Sequence, residues 1–364
     1  MKNLILFLIL LPAITQFSVA QIDDTTFQDV EGVTVFSENE AAIIFEDKRF
    51  YIVDFSLSED RTLMLMRNMR NYFIYQLDDE LKFVDKIKID GGADALYDDC
   101  FGNTYLVTKD SVYLILEDDK GIFLSDQNPR RRFMETMEKC VGVTSEKIIF
   151  EHLSKLNQFQ VFHTVDMQNG EEAVIYEVND TAQAKSLLEE GILLRNDLCE
   201  APNIIDESST NGGSGEAAHK MHREFNARRQ RMNFFKSHVI RPQYNPMFVV
   251  DDTLYFFNYT NNRLDRMDQH GNLIDSHTIS HHKREGWENK VYSDIVDNRF
   301  YGVRAIDGIL HLNRLLEPTF EEGFSSRLSH HVYPKKVIVR DGYAYYTYKP
   351  NFDANLNKLY RQKL

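Results

Sequence analysis

The sequence predicts an all-β fold, a six-bladed β-propeller, and three observations carry that expectation. Short runs of Tyr, Phe, Val, Ile and Leu recur along the chain, separated by Asp, Asn and Gly, the residues that tolerate the positive φ of tight hairpin turns. One such run, the third strand of each repeat, can be followed six times, at 72–77, 111–116, 159–165, 263–267, 309–315 and 357–364. Its spacing is roughly 40 to 50 residues in four of the five intervals, the length of one four-stranded blade, and about double in the fifth.

Taken in order, the chain opens with Lys2, an apolar run at 4–11 and the small-residue site Ser18-Val19-Ala20, the pattern of an export signal. The run is shorter than the ~20 residues that a membrane-spanning helix needs. Residues 1–20 are therefore expected to be removed, leaving a propeller over 21–364 in the periplasm or outside the cell. Two spare strands, 33–36 and 42–45, precede a first blade that begins near Tyr51. The last blade has strands at 336–339 and 343–349, joined by Asp341-Gly342, and runs out of chain after its third strand. One spare strand is expected to supply the fourth, joining the two ends and covering a sheet edge.

The clearest copy of the repeat lies at 247–279, with strands at 247–250, 254–258, 263–267 and 272–279 and turns at Asp251-Asp252, Thr260-Asn261-Asn262 and Asp268-Gln269-His270-Gly271. The long interval is expected to hold a helical and low-complexity insertion, 179–237, between blades three and four. Asp180 or Thr181 can cap a helix with Ala184, Leu187 and Leu188 on one face, and a basic amphipathic helix over 216–235 follows the Gly/Ser-rich stretch 208–215. Its apolar face is expected to pack on the propeller.

With 42 Lys and Arg against 56 Asp and Glu, the net charge is −14. That balance opposes attraction to nucleic acid and to anionic lipid, so neither nucleic-acid binding nor membrane insertion is expected. Three cysteines, Cys100, Cys140 and Cys199, allow one disulfide and leave one thiol over. Cys100 and Cys140 each sit where a blade begins and make the favoured pair in an oxidising compartment; three buried thiols are the alternative. No CxxC pair is present to hold a structural zinc.

The segments Asp99-Cys100-Phe101-Gly102-Asn103-Thr104-Tyr105-Leu106 and Asp110-Ser111-Val112-Tyr113 resemble secreted six-bladed β-propeller proteins common in Bacteroidetes, distantly like NHL-type propellers. The same resemblance extends through Tyr244-Asn245-Pro246-Met247-Phe248-Val249, Asp252-Thr253-Leu254-Tyr255 and the ending from Tyr333-Pro334-Lys335-Lys336 to Arg361-Gln362-Lys363-Leu364. It implies the fold and export, and it carries over no catalytic residue.

In a propeller the links between blades gather around the mouth of the central channel, and loops on a rigid scaffold carry function. The links expected here are Gly91-Gly92-Ala93, 128–134, the insertion, 281–290 and 324–335. They contain Arg130, Arg131, Arg132, His281, His282, Trp287, His330 and His331. Such residues offer cations for a carboxylate or phosphate, imidazoles for a proton, and an aromatic plane for a sugar or peptide. The four histidines lack HxH or HExxH spacing, so no metal site is expected from them. Asp94, Asp98 and Asp99 sit around the first strand of the second blade, where carboxylates can face the channel; solvated turn carboxylates are the default reading. The leading expectation is an exported, non-enzymatic binding or scaffold propeller for a protein, peptide or glycan, without a cofactor. The alternative is a metal-dependent lactonase-like or lyase-like enzyme using a divalent cation. No GxSxG elbow, P-loop, dinucleotide fingerprint or haem motif favours catalysis.

Overall fold

Tight turns return each strand beside its predecessor, and the repeated result is a series of antiparallel sheets. Asp251 and Asp252 take positive φ, 47° and 59°, as a two-residue hairpin turn requires, and Asp341-Gly342 repeats the device with 50° and 69°. The computed structural model describes residues 40–58, 61–153, 159–179, 244–294, 296–348 and 358–364. Among these residues there are six sheets.

The N-terminal strand β1 (Ala42–Phe45) stands apart from the series. The first sheet is β2 (Tyr51–Leu57), β3 (Thr62–Asn68), β4 (Asn71–Leu77) and β5 (Phe83–Ile89), and the second is β6 (Ala95–Asp98), β7 (Thr104–Val107), β8 (Ser111–Asp118), β9 (Gly121–Leu124) and β10 (Asn128–Pro129). Helix α1 (Arg130–Met137) leads to the third sheet, β11 (Cys140–Val143), β12 (Lys147–Leu153), β13 (Phe159–Asp166) and β14 (Glu172–Asn179). The fourth is β15 (Met247–Val250), β16 (Thr253–Asn258), β17 (Arg263–Met267) and β18 (Leu273–Thr278). After a 3-10 turn at His281–Lys283 comes the fifth, β19 (Trp287–Asp294), β20 (Arg299–Ile306), β21 (Ile309–Leu316) and β22 (Glu321–Val332). The sixth is β23 (Lys335–Arg340), β24 (Tyr343–Tyr348), β25 (Lys358–Lys363) and, returning from the start of the chain, β1.

Burial explains the strand compositions. The second strand of the first sheet, TLMLMRN, is buried on both faces and reads as an apolar run, whereas the outer β5, FVDKIKI, alternates with lysine and is largely exposed. Both faces of a sheet are covered because neighbouring sheets pack on them. Leu63, Leu65 and Ile74 meet Leu96, Leu106 and Ile115 across the first seam. Ile149 and Phe162 meet Leu254 and Phe256 across the third, and Phe257 and Leu264 meet Phe300 and Leu315 across the fourth. Tyr301 and Leu312 meet Val339 and Tyr346 across the fifth. The sixth sheet then packs on the first, Tyr345 and Leu359 against Phe55 and Tyr75, so the packing forms a closed cycle. An ion pair, Lys336 Nζ to Asp54 Oδ1 at 2.8 Å, joins the innermost strands at that closure.

The second seam is built differently. Phe133 of α1 packs on Tyr97 and Tyr105, and the Tyr97 hydroxyl donates to the Met137 carbonyl at 2.7 Å. A Cys100–Cys140 disulfide with a Cα separation of 5.8 Å ties the two sheets, the pairing expected from sequence. The expected clasp is also present: Ala42 pairs with Arg361, Ile43 with Tyr360 and Phe45 with Leu359. Strand 33–36, Cys199, the export signal and the insertion beyond Asn179 lie outside the described residues, and Asn179 itself ends a strand. Three expected links are corrected. Residues 130–137 are helical, Trp287 opens a strand, and most of 324–335 belongs to β22, which extends because the sixth sheet shields one of its faces.

Candidate functional site

The fourth seam gathers three of the residues singled out by sequence. The link after β18 turns tightly at His281–Lys283 and delivers His281, His282 and Trp287 beside Tyr244 and Tyr259. His281 is fully buried; its Nδ1 meets the Phe320 carbonyl at 3.1 Å and its Nε2 meets the Tyr259 hydroxyl at 2.9 Å. A carbonyl only accepts, so Nδ1 carries the proton and Nε2 accepts from Tyr259. Burial first, then the neighbouring His282, pushes the His281 pKa down to about 4 and keeps the ring neutral. The Trp287 ring lies over Gly302, where an added Cβ would stand 3.1 Å from Cζ3. His281 is thus a packing element without solvent access, whereas Trp287 packs on Tyr259 and His281 and remains half-buried. His282 is half-buried and donates from Nε2 to Asn262 Oδ1 at 3.0 Å, leaving a buried, unpartnered Nδ1.

The chain then enters β19, the innermost strand of the fifth sheet. A bulge between Trp287 and Val291, with Asn289 at a φ of 50°, frees residues 288–290 from pairing with β20. Lys290 is exposed and its Nζ lies 4.6 Å from the centre of the Tyr292 ring. No carboxylate lies in ion-pairing range of it among the described residues. Surrounding protein lowers its pKa below the usual lysine range, with desolvation the sole cause. Tyr244 reaches the open edge of the same strand, where its hydroxyl accepts from the Val291 N–H at 2.7 Å. Burial pushes the Tyr244 pKa up to about 12 and raises Tyr292 further, with Tyr244 as the second cause for the latter. All three groups therefore stand as donors at neutral pH.

The other sequence candidates lie elsewhere. Arg130 bonds Asp94 Oδ2 at 2.6 Å and the Thr108 carbonyl at 2.9 Å, Arg131 pairs with Glu135 along α1, and Arg132 is exposed on the same helix. His331 closes the fifth seam, its ring stacked 4.2 Å from Tyr348 and its Nδ1 2.9 Å from the Tyr346 hydroxyl. His330 is placed in β22 by its backbone. Asp98 accepts from Ser56 and Thr104 hydroxyls at 2.5 and 2.7 Å, and Asp99 organises its own turn by accepting from the Phe101 and Asn103 amides. Among the described residues no group of three or more His, Cys, Asp and Glu side chains is placed to hold a metal ion. No helix there is long and apolar enough to cross a membrane.

Sequence reading passed over Tyr244, Lys290 and Tyr292. The usable signal was a lysine two residues before a tyrosine at the start of an inward strand, since i and i+2 share a strand face. Comparison with known proteins adds no assignment: no family model matches the chain, and no curated protein matches it by sequence. Among solved structures, a catalytically inactive virginiamycin B lyase from Staphylococcus aureus with quinupristin is 10% identical, covering 90% of this chain and 99% of that one at a TM-score of 0.35. A luciferin-regenerating enzyme is 7% identical over 90% and 96% of the two chains, with a TM-score of 0.38. The calcium-binding protein regucalcin from Agrobacterium tumefaciens is 10% identical over 91% and 95%, with a TM-score of 0.36. At such scores these likenesses bear on no chemistry of this chain.

Proposed function

We propose that the chain is an exported six-bladed β-propeller that binds a ligand, a protein, peptide or glycan, at the inner edge of its fifth sheet, in the periplasm or outside the cell. The six sheets and the terminal clasp support the blade number, and Lys2 with the apolar run and Ser18-Val19-Ala20 supports export. One observation carries the site: the exposed Lys290 ammonium stands on the Tyr292 ring, with no anionic partner among the described residues. A desolvated cation is stabilised by whatever anion reaches it, which is how a recognition group differs from a solvated surface lysine.

The test uses the mature chain, Lys290→Gln and Arg131→Ala on a printed array of glycans and peptides. Ligands held by the wild type and Arg131→Ala but lost by Lys290→Gln support the reading. Identical patterns for all three proteins overturn it. A thermal-shift screen with Ca²⁺, Mg²⁺, Mn²⁺ and Zn²⁺ addresses the metal-dependent enzyme; no stabilisation by any of them is expected.

A further inference from the structure

Five of the six described sheets lend side chains to two apolar clusters each, and the third sheet lends them to one. In β12, β13 and β14 the buried side chains, Ile149, Gln160, Phe162, Thr164 and Val178, share the face turned to the fourth sheet. The opposite face, on the side of the second seam, is built in cross-strand rows: Ile148, Val165 and Glu172; Phe150, His163 and Val174; His152, Val161 and Glu177. None of these residues is fully buried, Val174 is 60% exposed, and no lysine or arginine stands among them. Three rings line up across the face, Phe150 on His163 at 5.4 Å and His163 on His152 at 4.6 Å. The solvated face of an antiparallel sheet is ordinarily polar. This one is apolar in the middle and acidic along its outer strand, the pattern of a surface built to be covered.

We propose that residues 216–235 of the same chain dock on this face of the third sheet. They lie outside the described residues, and their sequence supplies the complement. Ala218, Met221, Phe225, Met232 and Phe235 recur at helical spacing, while Lys220, Arg223, Arg228, Arg229 and Arg231 outnumber Glu216 and Glu224. An amphipathic helix lays such a stripe on an apolar surface, and its positive charges meet Glu172 and Glu177 along the rim. The lengths agree: twenty helical residues run about 30 Å, and the eight residues of β13 or β14 about 26 Å. Chain connection selects this occupant over a separate molecule. Strand β14 ends at Asn179 as the outer strand of this very sheet, and a flexible tether as long as 180–215 spans about 30 Å. The segment is thereby held near the face at an effective concentration on the order of millimolar. None of this depends on the ligand face at the fifth sheet.

The test is limited trypsin digestion of the mature chain, with cuts after Lys220, Arg223, Arg228, Arg229 and Arg231 timed by mass spectrometry. Val174→Lys spoils the face at an exposed position, Phe225→Asp spoils the segment, and Leu273→Lys, at a similarly exposed position of the fourth sheet, is the control. The cuts are expected to be at least about tenfold faster in Val174→Lys and Phe225→Asp than in the wild type and Leu273→Lys. Equal rates in the wild type and Phe225→Asp mean an undocked segment and overturn the proposal. Slow cuts in Val174→Lys together with fast cuts in Phe225→Asp put the segment on another surface and overturn it as well. Carbodiimide coupling of Lys220 to Glu172 or Glu177 within one chain supports the placement. Coupling only between chains, as a dimer whose yield rises with concentration, gives the face to a second copy and overturns it.

Discussion

At His281 the physical chemistry of burial becomes a pH dependence. Its folded pKa of about 4 lies below the ordinary 6.5, so between those values the unfolded chain takes up a proton that the folded one refuses. Its contribution to stability is complete above about pH 6.5 and is lost as the pH falls toward 4, up to about 3 kcal/mol. His281→Gln should lower stability at pH 7.5 yet flatten its fall between pH 6.5 and 4, read from urea midpoints at several pH values. His163 and His282 shift in the same direction, so some slope will remain. Gly302→Ala should cost ~1–3 kcal/mol by pressing a methyl against the Trp287 ring, measured by the same unfolding curves. These residues also show why the site was only partly legible. A histidine pair and a lone tryptophan stand out in a string of letters because of their chemistry, but accessibility is a property of packing. Trp287 fills the space a glycine leaves on the next strand, and Lys290, plain in the sequence, keeps the free charge.

Elements carry the next group of effects. The disulfide joins residues 40 apart in sequence, and loss of that cross-link releases unfolded-state entropy worth about 4 kcal/mol. The double variant Cys100→Ser, Cys140→Ser should shift the urea midpoint accordingly, with the wild type following on reduction. Removal of residues 40–46 should cost ~2 kcal/mol from Phe45 alone and bare the β25 edge, giving association that grows with concentration in light scattering. Both features were readable beforehand, because an incomplete last repeat and a spare first strand are facts of spacing. Helix α1 was not. Its run Arg130-Arg131-Arg132 reads as loop, and what makes it a helix is Phe133 finding Tyr97 and Tyr105 on the neighbouring sheet.

On the scale of the molecule, five seams are packed with apolar side chains and the second is tied by helix α1 and the disulfide, so each of the six described sheets is joined to two neighbours. An open array of repeats melts piecemeal from its ends, whereas a ring ties each sheet to two neighbours. A single calorimetric transition, with calorimetric and van't Hoff enthalpies in agreement, is therefore expected for the wild type. Hairpin periodicity announced the sheets, since strand and turn are local. The Lys336–Asp54 pair and the substitution of a helix and disulfide for sheet packing at the second seam depend on residues far apart in sequence, where periodicity is silent.

The clasp has a mechanical consequence. Because β1 and β25 are antiparallel, the leading end of the first lies beside the trailing end of the second, with Ala42 opposite Arg361. A force pulling the two ends of the chain apart enters this pair from one side and peels it open a rung at a time, rather than loading all its bonds in shear. The strand that shields the edge at rest is thus the first to yield under tension, a pull-tab on the closed array of sheets.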